Sequence, residues 1–258
     1  MIELERTLRS RRDEGRKLLV PYVTGGLGAE WLDVVRAFAA NGADAIEIGL
    51  PFSDPVMDGP TIQAASQAAL DAGANPLSIM NALGDVDVDV PLVVMTYYNV
   101  VFRSGHRRFA ASMKENGVHG AIVPDLPLEE LGDWARAADE GGVETVLLAS
   151  PVTPDDRLTR LVARSRGFVY GVGLMGVTGE RERVAESAKV ISKRLKAITD
   201  LPVIIGFGVS TPSQAAELAA ESDGVVVASA LMRKLLDGAG PSELGAMVAD
   251  LRRALDSV

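Results

Sequence analysis

The chain has 258 residues, 47% hydrophobic and 24% charged, with 26 Lys and Arg against 35 Asp and Glu for a net charge of −9; it can bury one large core, and its acidic balance argues against a nucleic-acid partner. It has no cysteine and two histidines, His106 and His119, so disulfides, thiolate catalysis, cysteine-bound metal and a histidine-rich metal site are not expected. No run approaches the roughly 18 uninterrupted apolar residues of a membrane span, and the N-terminal segment is a charged amphipathic helix rather than a signal peptide, so a soluble cytoplasmic chain without membrane contact is expected.

Taken in order, short Val- and Ile-rich runs alternate with longer segments of helical period. The runs fall at residues 18–24, 43–49, 92–96, 120–124, 145–149, 168–172, 203–206 and 224–228. Each leads into helical sequence, directly or through a loop, and that alternation calls for a parallel sheet. Eight such units over about 250 residues match a closed (β/α)8 barrel, with residues 1–258 as one α/β domain. An extra helix is expected before the first strand. A short extra helix, SALMRKLLDG, is expected after the eighth, ahead of a last helical segment at 241–256. A doubly wound open sheet is the alternative, but the first turn reads TGGLGAEW and lacks the GxGxxG spacing of a dinucleotide fold.

Barrel enzymes carry their reactive groups at the C-terminal ends of the strands. The stretch EIGLPFSDPVMDGP, residues 47–60, puts two acids there. Ala45, Glu47 and Gly49 share one parity of the second strand and Ile46, Ile48 and Leu50 the other, so Glu47 points into a barrel of small residues while the isoleucines face the helices. It is either half of a buried ion pair or a carboxyl raised by desolvation to trade protons near neutrality. Asp58, ahead of Gly59 and Pro60, reads equally as a helix cap and as the second catalytic acid. Asp54 reads as a turn brace or a partner contact.

Small-residue turns recur late in the chain: GVTG at 176–179, GFGVSTP at 206–212 and VASA at 227–230. They expose backbone N–H groups near helix starts, where phosphate binds well. Glycine also simply ends strands and caps helices, but co-occurrence on consecutive late strands fits the phosphate site common to barrels. The six lysines, Lys17, Lys114, Lys189, Lys193, Lys196 and Lys234, fall on helices or flanks, away from the strand-end position of a Schiff base. His106 lies early in a helix and His119 before a strand, and both read as surface residues rather than metal ligands. What remains is cofactor-free acid/base chemistry on a phosphorylated small molecule.

These stretches together resemble the tryptophan synthase alpha subunit family. EIGLPFSDPVMDGPTIQ (47–63) is the most specific of them, joined by MTYYN (95–99), VPDLPLEE (123–130), GVTG (176–179) and GFGVSTPSQA (206–215), and the likeness runs the length of the chain. The resemblance implies a (β/α)8 barrel that cleaves indole-3-glycerol phosphate to indole and glyceraldehyde 3-phosphate, without metal or cofactor. It makes Glu47 the general acid/base and Asp58 the carboxylate that holds the indole N–H. Tyr170 would orient the glutamate, while Tyr97, Tyr22, Ile62, Met95 and Leu126 would line the indole pocket. Thr178, on a loop that closes over the substrate, and Phe207 are carried over as further substrate contacts. Gly179, Gly208, Ala228 and Ser229 match the phosphate-binding positions.

Further implications concern a partner. The family pairs with a beta subunit that carries pyridoxal phosphate, and Pro51, Asp54, Pro55, Asn99 and Phe102 fall on loops implied to face it, unless they are ordinary rim packing. Four departures from the family pattern stand out. Ala228 replaces a frequent glycine, Gly173 and Leu174 replace a serine and a polar residue, TGGLG replaces a glycine–acid–proline turn, and Val100 follows Asn99 where proline is frequent. Two alternatives follow: a free-standing lyase, and a subunit kept mainly to regulate its partner.

Overall fold

The computed structural model describes residues 3–173, 181–206 and 208–258. Its first half runs α1 (Leu4–Asp13), β1 (Leu18–Thr24), α2 (Trp31–Ala40), β2 (Ile46–Gly49), α3 (Pro60–Asp71), α4 (Pro76–Leu83), β3 (Leu92–Met95), α5 (Tyr98–Ser104), α6 (His106–Glu115) and β4 (Val118–Ile122). The second half runs α7 (Gly132–Gly141), β5 (Glu144–Ala149), α8 (Asp155–Arg164), β6 (Val169–Gly171), α9 (Arg181–Lys196), β7 (Val203–Ile205), α10 (Pro212–Ala220), β8 (Gly224–Val227), α11 (Ser229–Leu236) and α12 (Pro241–Leu255). Every strand pairs parallel with its neighbours in sequence, and β8 closes on β1 through Leu18 opposite Gly224. The (β/α)8 barrel, the helix ahead of β1 and the short helix after β8 stand as the alternation of periods predicts. Among the described residues no helix is long and apolar enough to cross a membrane.

Alternating side chains sort the core into two layers. The inner one holds Leu18, Val20, Ala45, Val93, Ile122, Val146, Phe168, Ile204 and Val226 with Leu4 and Leu8 of α1, while Ile46 and Ile48 join the outer layer beneath the helices. The parity read for the second strand therefore holds. Leu4 and Leu8 lie one turn apart on α1 and are fully buried, so α1 plugs the end of the barrel opposite the strand C-termini. Gly120 leaves the room: a Cβ there would come within 2.6 Å of Leu4 Cδ2.

Three departures from the expected elements have an identifiable contact behind them. The second strand starts at Ile46 rather than residue 43, because Asp44 turns its carboxylate onto the Leu19 N–H at 2.8 Å. There it also accepts from Arg11, Arg16 and Arg252 at 2.8, 2.7 and 3.1 Å, a clamp joining α1, α12 and the start of the sheet. The fourth strand begins at Val118 and contains His119, which is half-buried and accepts from the Leu92 N–H at 3.4 Å. Burial, then the charge of Lys114, lowers its pKa. His106 likewise is half-buried, its Nε2 3.0 Å from the Tyr98 hydroxyl, so neither histidine is a plain surface residue. Finally, Asn99 and Phe102 lie on a helix, α5, and not on a loop. Asp125 Oδ1 accepts from the Tyr98 N–H at 2.8 Å and satisfies a donor of the first turn from another strand's loop.

Candidate active site

Glu47 sits in β2 in register with Tyr22 of β1 and Val93 of β3. Its inward parity leaves it 3% exposed, with Oε2 buried and without a hydrogen-bond partner. The ion pair open to it in sequence is not formed: no lysine or arginine among the described residues pairs with it. Burial, then the charge of Asp58, raises its pKa to about 8, so at neutral pH it holds a proton.

Asp58 hangs from the loop that closes β2 onto α3. The N-cap of α3 is Gly59, and no side chain caps it, so the capping role is not observed. Two other ties hold the segment. Gln63 Nε2 donates to the Asp58 carbonyl at 2.8 Å, and the Tyr97 hydroxyl bonds the Asp58 carboxylate while accepting from the Met57 N–H at 3.1 Å. The Tyr97 ring is buried and stacks on Phe52 with centroids 5.0 Å apart. Burial raises the Asp58 pKa and the Tyr97 hydrogen bond opposes the rise; the Tyr97 phenol is itself pushed up to about 12, chiefly by burial. The two acids thus occupy different environments, Glu47 dry and orphaned, Asp58 half-buried and bonded.

Tyr22 and Tyr170 flank the glutamate. The Tyr22 hydroxyl lies 3.2 Å from Thr24 Oγ1. Tyr170, the middle residue of β6, is half-buried, its pKa raised well above 10 by burial and then by Glu47. Each ring fits over a glycine: a Cβ on Gly49 would overlap Tyr22, and one on Gly206 would overlap Tyr170. Tyr22, Ile62 and Leu126 belong to one apolar cluster against which Met95 packs. After β8, on the other side of β1 from Glu47, α11 opens on Ser229, preceded by Ala228 at φ −118°, with Gly208 at φ +81°. A negative φ lets alanine stand at 228 without strain. Thr178, Gly179, Phe207 and Leu174 lie outside the described residues.

Of the rim positions, Pro51 is buried, Pro55 half-buried, and Asp54, Asn99 and Phe102 are exposed, Phe102 at 64%. Asp54 accepts from the adjacent Ser53 hydroxyl at 2.5 Å, which braces the turn. Sequence reasoning placed Tyr97 only as a pocket wall. It missed the phenol's hold on the Asp58 loop, and the fit of the two glycines to the two tyrosines. Strand parity could have signalled the first glycine, since residue 49 shares the face of Glu47.

A family model described as "Tryptophan synthase alpha chain" matches residues 8–252. The chain belongs to the tryptophan synthase alpha chain family. It is 41% identical to the tryptophan synthase alpha chain of Streptomyces coelicolor over 98% of this chain and 96% of that one. With the alpha chain of Methanosarcina mazei it shares 45% identity over 90% and 86%. Among solved structures, tryptophan synthase of Mycobacterium tuberculosis superposes with a TM-score of 0.90 at 36% identity, covering 98% of this chain and 97% of that one. Subunit alpha from Legionella pneumophila reaches a TM-score of 0.91 at 29% identity over the whole of both chains. With the family comes its reaction: the chain is a lyase of tryptophan biosynthesis acting on indole-3-glycerol phosphate, and alpha chains carry no cofactor.

Proposed function

We propose that residues 1–258 act as one catalytic barrel domain in which Glu47 is the proton carrier and Asp58 the electrostatic partner of the retro-aldol cleavage. The observation that carries this reading is the orphaned, buried carboxyl of Glu47 at the mouth, with a pKa of about 8. Held protonated, Glu47 delivers its proton to indole C3. As the bond from C3 to the glycerol carbon breaks, a base takes the proton of the neighbouring glycerol hydroxyl, and that oxygen becomes the aldehyde of glyceraldehyde 3-phosphate. Glu47, once ionised, is the group placed to be that base. Asp58, kept more polar by Tyr97, accepts from the indole N–H and offsets the positive charge that develops on the ring. Tyr170 orients the glutamate, and Tyr22, Tyr97, Ile62, Met95 and Leu126 enclose the indole, with Thr178 and Phe207 as further substrate contacts.

The phosphate end is assigned to the backbone N–H groups of Gly179, Gly208, Ala228 and Ser229. The first turn of α11 supports this, since uncapped N–H groups and the helix dipole together favour an anion. Alpha chains work in alpha2beta2 complexes, and pyridoxal phosphate is carried by the beta subunit. We assign the face toward that subunit to Pro51, Asp54, Pro55, Asn99 and Phe102, a set that includes the exposed Phe102 ring. The biosynthetic role supports the cytoplasm as the place of action.

Glu47→Gln tests the reading. Glutamine keeps the shape and loses the transferable proton, so indole formation should vanish while glycerol 3-phosphate still binds. Appreciable turnover by the variant would defeat the assignment.

A further inference from the structure

The helix that opens on Ser229 also packs against α3, the helix that follows the Asp58 loop. Arg233 stands one turn along α11 from Ser229, on the same face, and a helical side chain lies back over the preceding turn. Its Nη2 donates to Thr61 Oγ1 at 2.6 Å. Thr61 is the second residue of α3, 7% exposed, and three positions from Asp58. Among the described residues the Arg233 guanidinium has no carboxylate partner, so a full cation is committed to a neutral hydroxyl. That is a short, charge-assisted bond.

Two features make the contact a fixed strut rather than a loose surface bond. The neighbouring Met232 seats α11 on the barrel: its Sδ accepts from the Thr24 N–H at 3.4 Å, at the end of β1. The start of α3, for its part, has no side-chain cap. Its first turn is held by Arg233 on Thr61 from outside and by Gln63 on the Asp58 carbonyl from within. An unbroken path therefore runs from the first turn of α11 through Arg233 and Thr61 to Asp58.

We infer that Arg233 is a positioning residue for the cleavage: through Thr61 it fixes the helix carrying the Asp58 loop relative to the helix whose first turn receives the phosphate. The inference rests on the site reading above. Arg233 touches neither reacting carbon. It sets how well Asp58 meets an indole ring whose phosphate end is already anchored, and small misplacements at such a point cost rate more than affinity.

The test is a double-mutant cycle on cleavage of indole-3-glycerol phosphate with Arg233→Met, which keeps the apolar stem, and Thr61→Val, which keeps the shape. Each single variant is expected to lower kcat about 10-fold with KM within about 3-fold of wild type, and the double variant should be no worse than either. Arg233→Lys, which can still donate to Thr61, should recover most of the rate, and the Kd for glycerol 3-phosphate should stay unchanged in all four. Singles with wild-type kcat, losses that multiply in the double, or a loss confined to KM would each overturn the inference. Glu47→Gln in the same assay separates the two readings. If that variant still cleaves, the site assignment fails; if it is dead while the Arg233 and Thr61 variants match wild type, only the strut fails.

Discussion

Tyr22 and Gly49 share one volume: the tyrosine hydroxyl occupies the place where a side chain on Gly49 would begin. They belong to adjacent strands, with Tyr22 level with Glu47, so the missing side chain lets an aromatic ring lie across the mouth beside the glutamate. Gly49→Ala is expected to lower kcat for cleavage by about 100-fold and to cost about 1–3 kcal/mol of stability through overpacking. Steady-state kinetics and urea unfolding measure the two, and a variant with wild-type kcat would detach the Tyr22 ring from the chemistry.

Asp58→Asn separates electrostatics from architecture. Asp58 caps nothing, so the variant should melt close to wild type, while the loss of charge opposite the indole ring should cut kcat by about 100- to 1,000-fold. A mild kinetic effect with a clear fall in Tm would return Asp58 to a structural role.

The raised pKa of Glu47 makes stability depend on pH in a definite direction. The native chain holds this proton more tightly than the unfolded chain, so the contribution of Glu47 is complete below pH 4.5 and is lost as pH rises through about 8. Glu47→Gln cannot ionise, so its Tm relative to wild type should improve steadily across that window. Glu144, lifted to about 7 mainly by burial, adds a slope of the same sign to both proteins and cancels. Parallel Tm curves would show that Glu47 titrates normally. In wild type, kcat should decline above about pH 8 as the starting acid is lost.

The Asp44 clamp lies at the plugged end of the barrel and bears on stability alone. Asp44→Asn would leave three guanidinium groups without their shared anion, an expected cost of about 3 kcal/mol read from the denaturant midpoint. Turnover at the opposite end should stay within about 2-fold of wild type. A large loss of kcat would show that the two ends of the barrel are coupled.

Addition of a beta subunit from the same source should accelerate cleavage by the purified chain, and Phe102→Ala should weaken that activation without changing the rate of the isolated chain. Full activity alone, unmoved by the partner, would instead fit the free-standing lyase.

Much of this was legible in the sequence because the barrel is written in local periods. Strand parity aimed Glu47 inward before any contact was known. The misjudged details share a cause. Asp44 leaves the second strand to meet three arginines from elsewhere in the chain, and α5 forms where a loop was expected because Asp125, 27 residues from Tyr98, satisfies its first turn. His119 enters a strand because Leu92 pairs with that segment. None of these partners is near in sequence.

The sequence by itself determined the order of the eight strands, the inward side of the second one and the placing of two acids at and just beyond its end, since these follow from period, parity and position in the chain. Only the tertiary structure decided what state those acids are in. Glu47 keeps its proton because closure of eight strands removes water and, among the described residues, supplies no cation. Asp58 is tethered rather than capping because Tyr97, on another strand's loop, reaches it. Desolvation and contact geometry exist only once distant segments meet, and no local pattern encodes them.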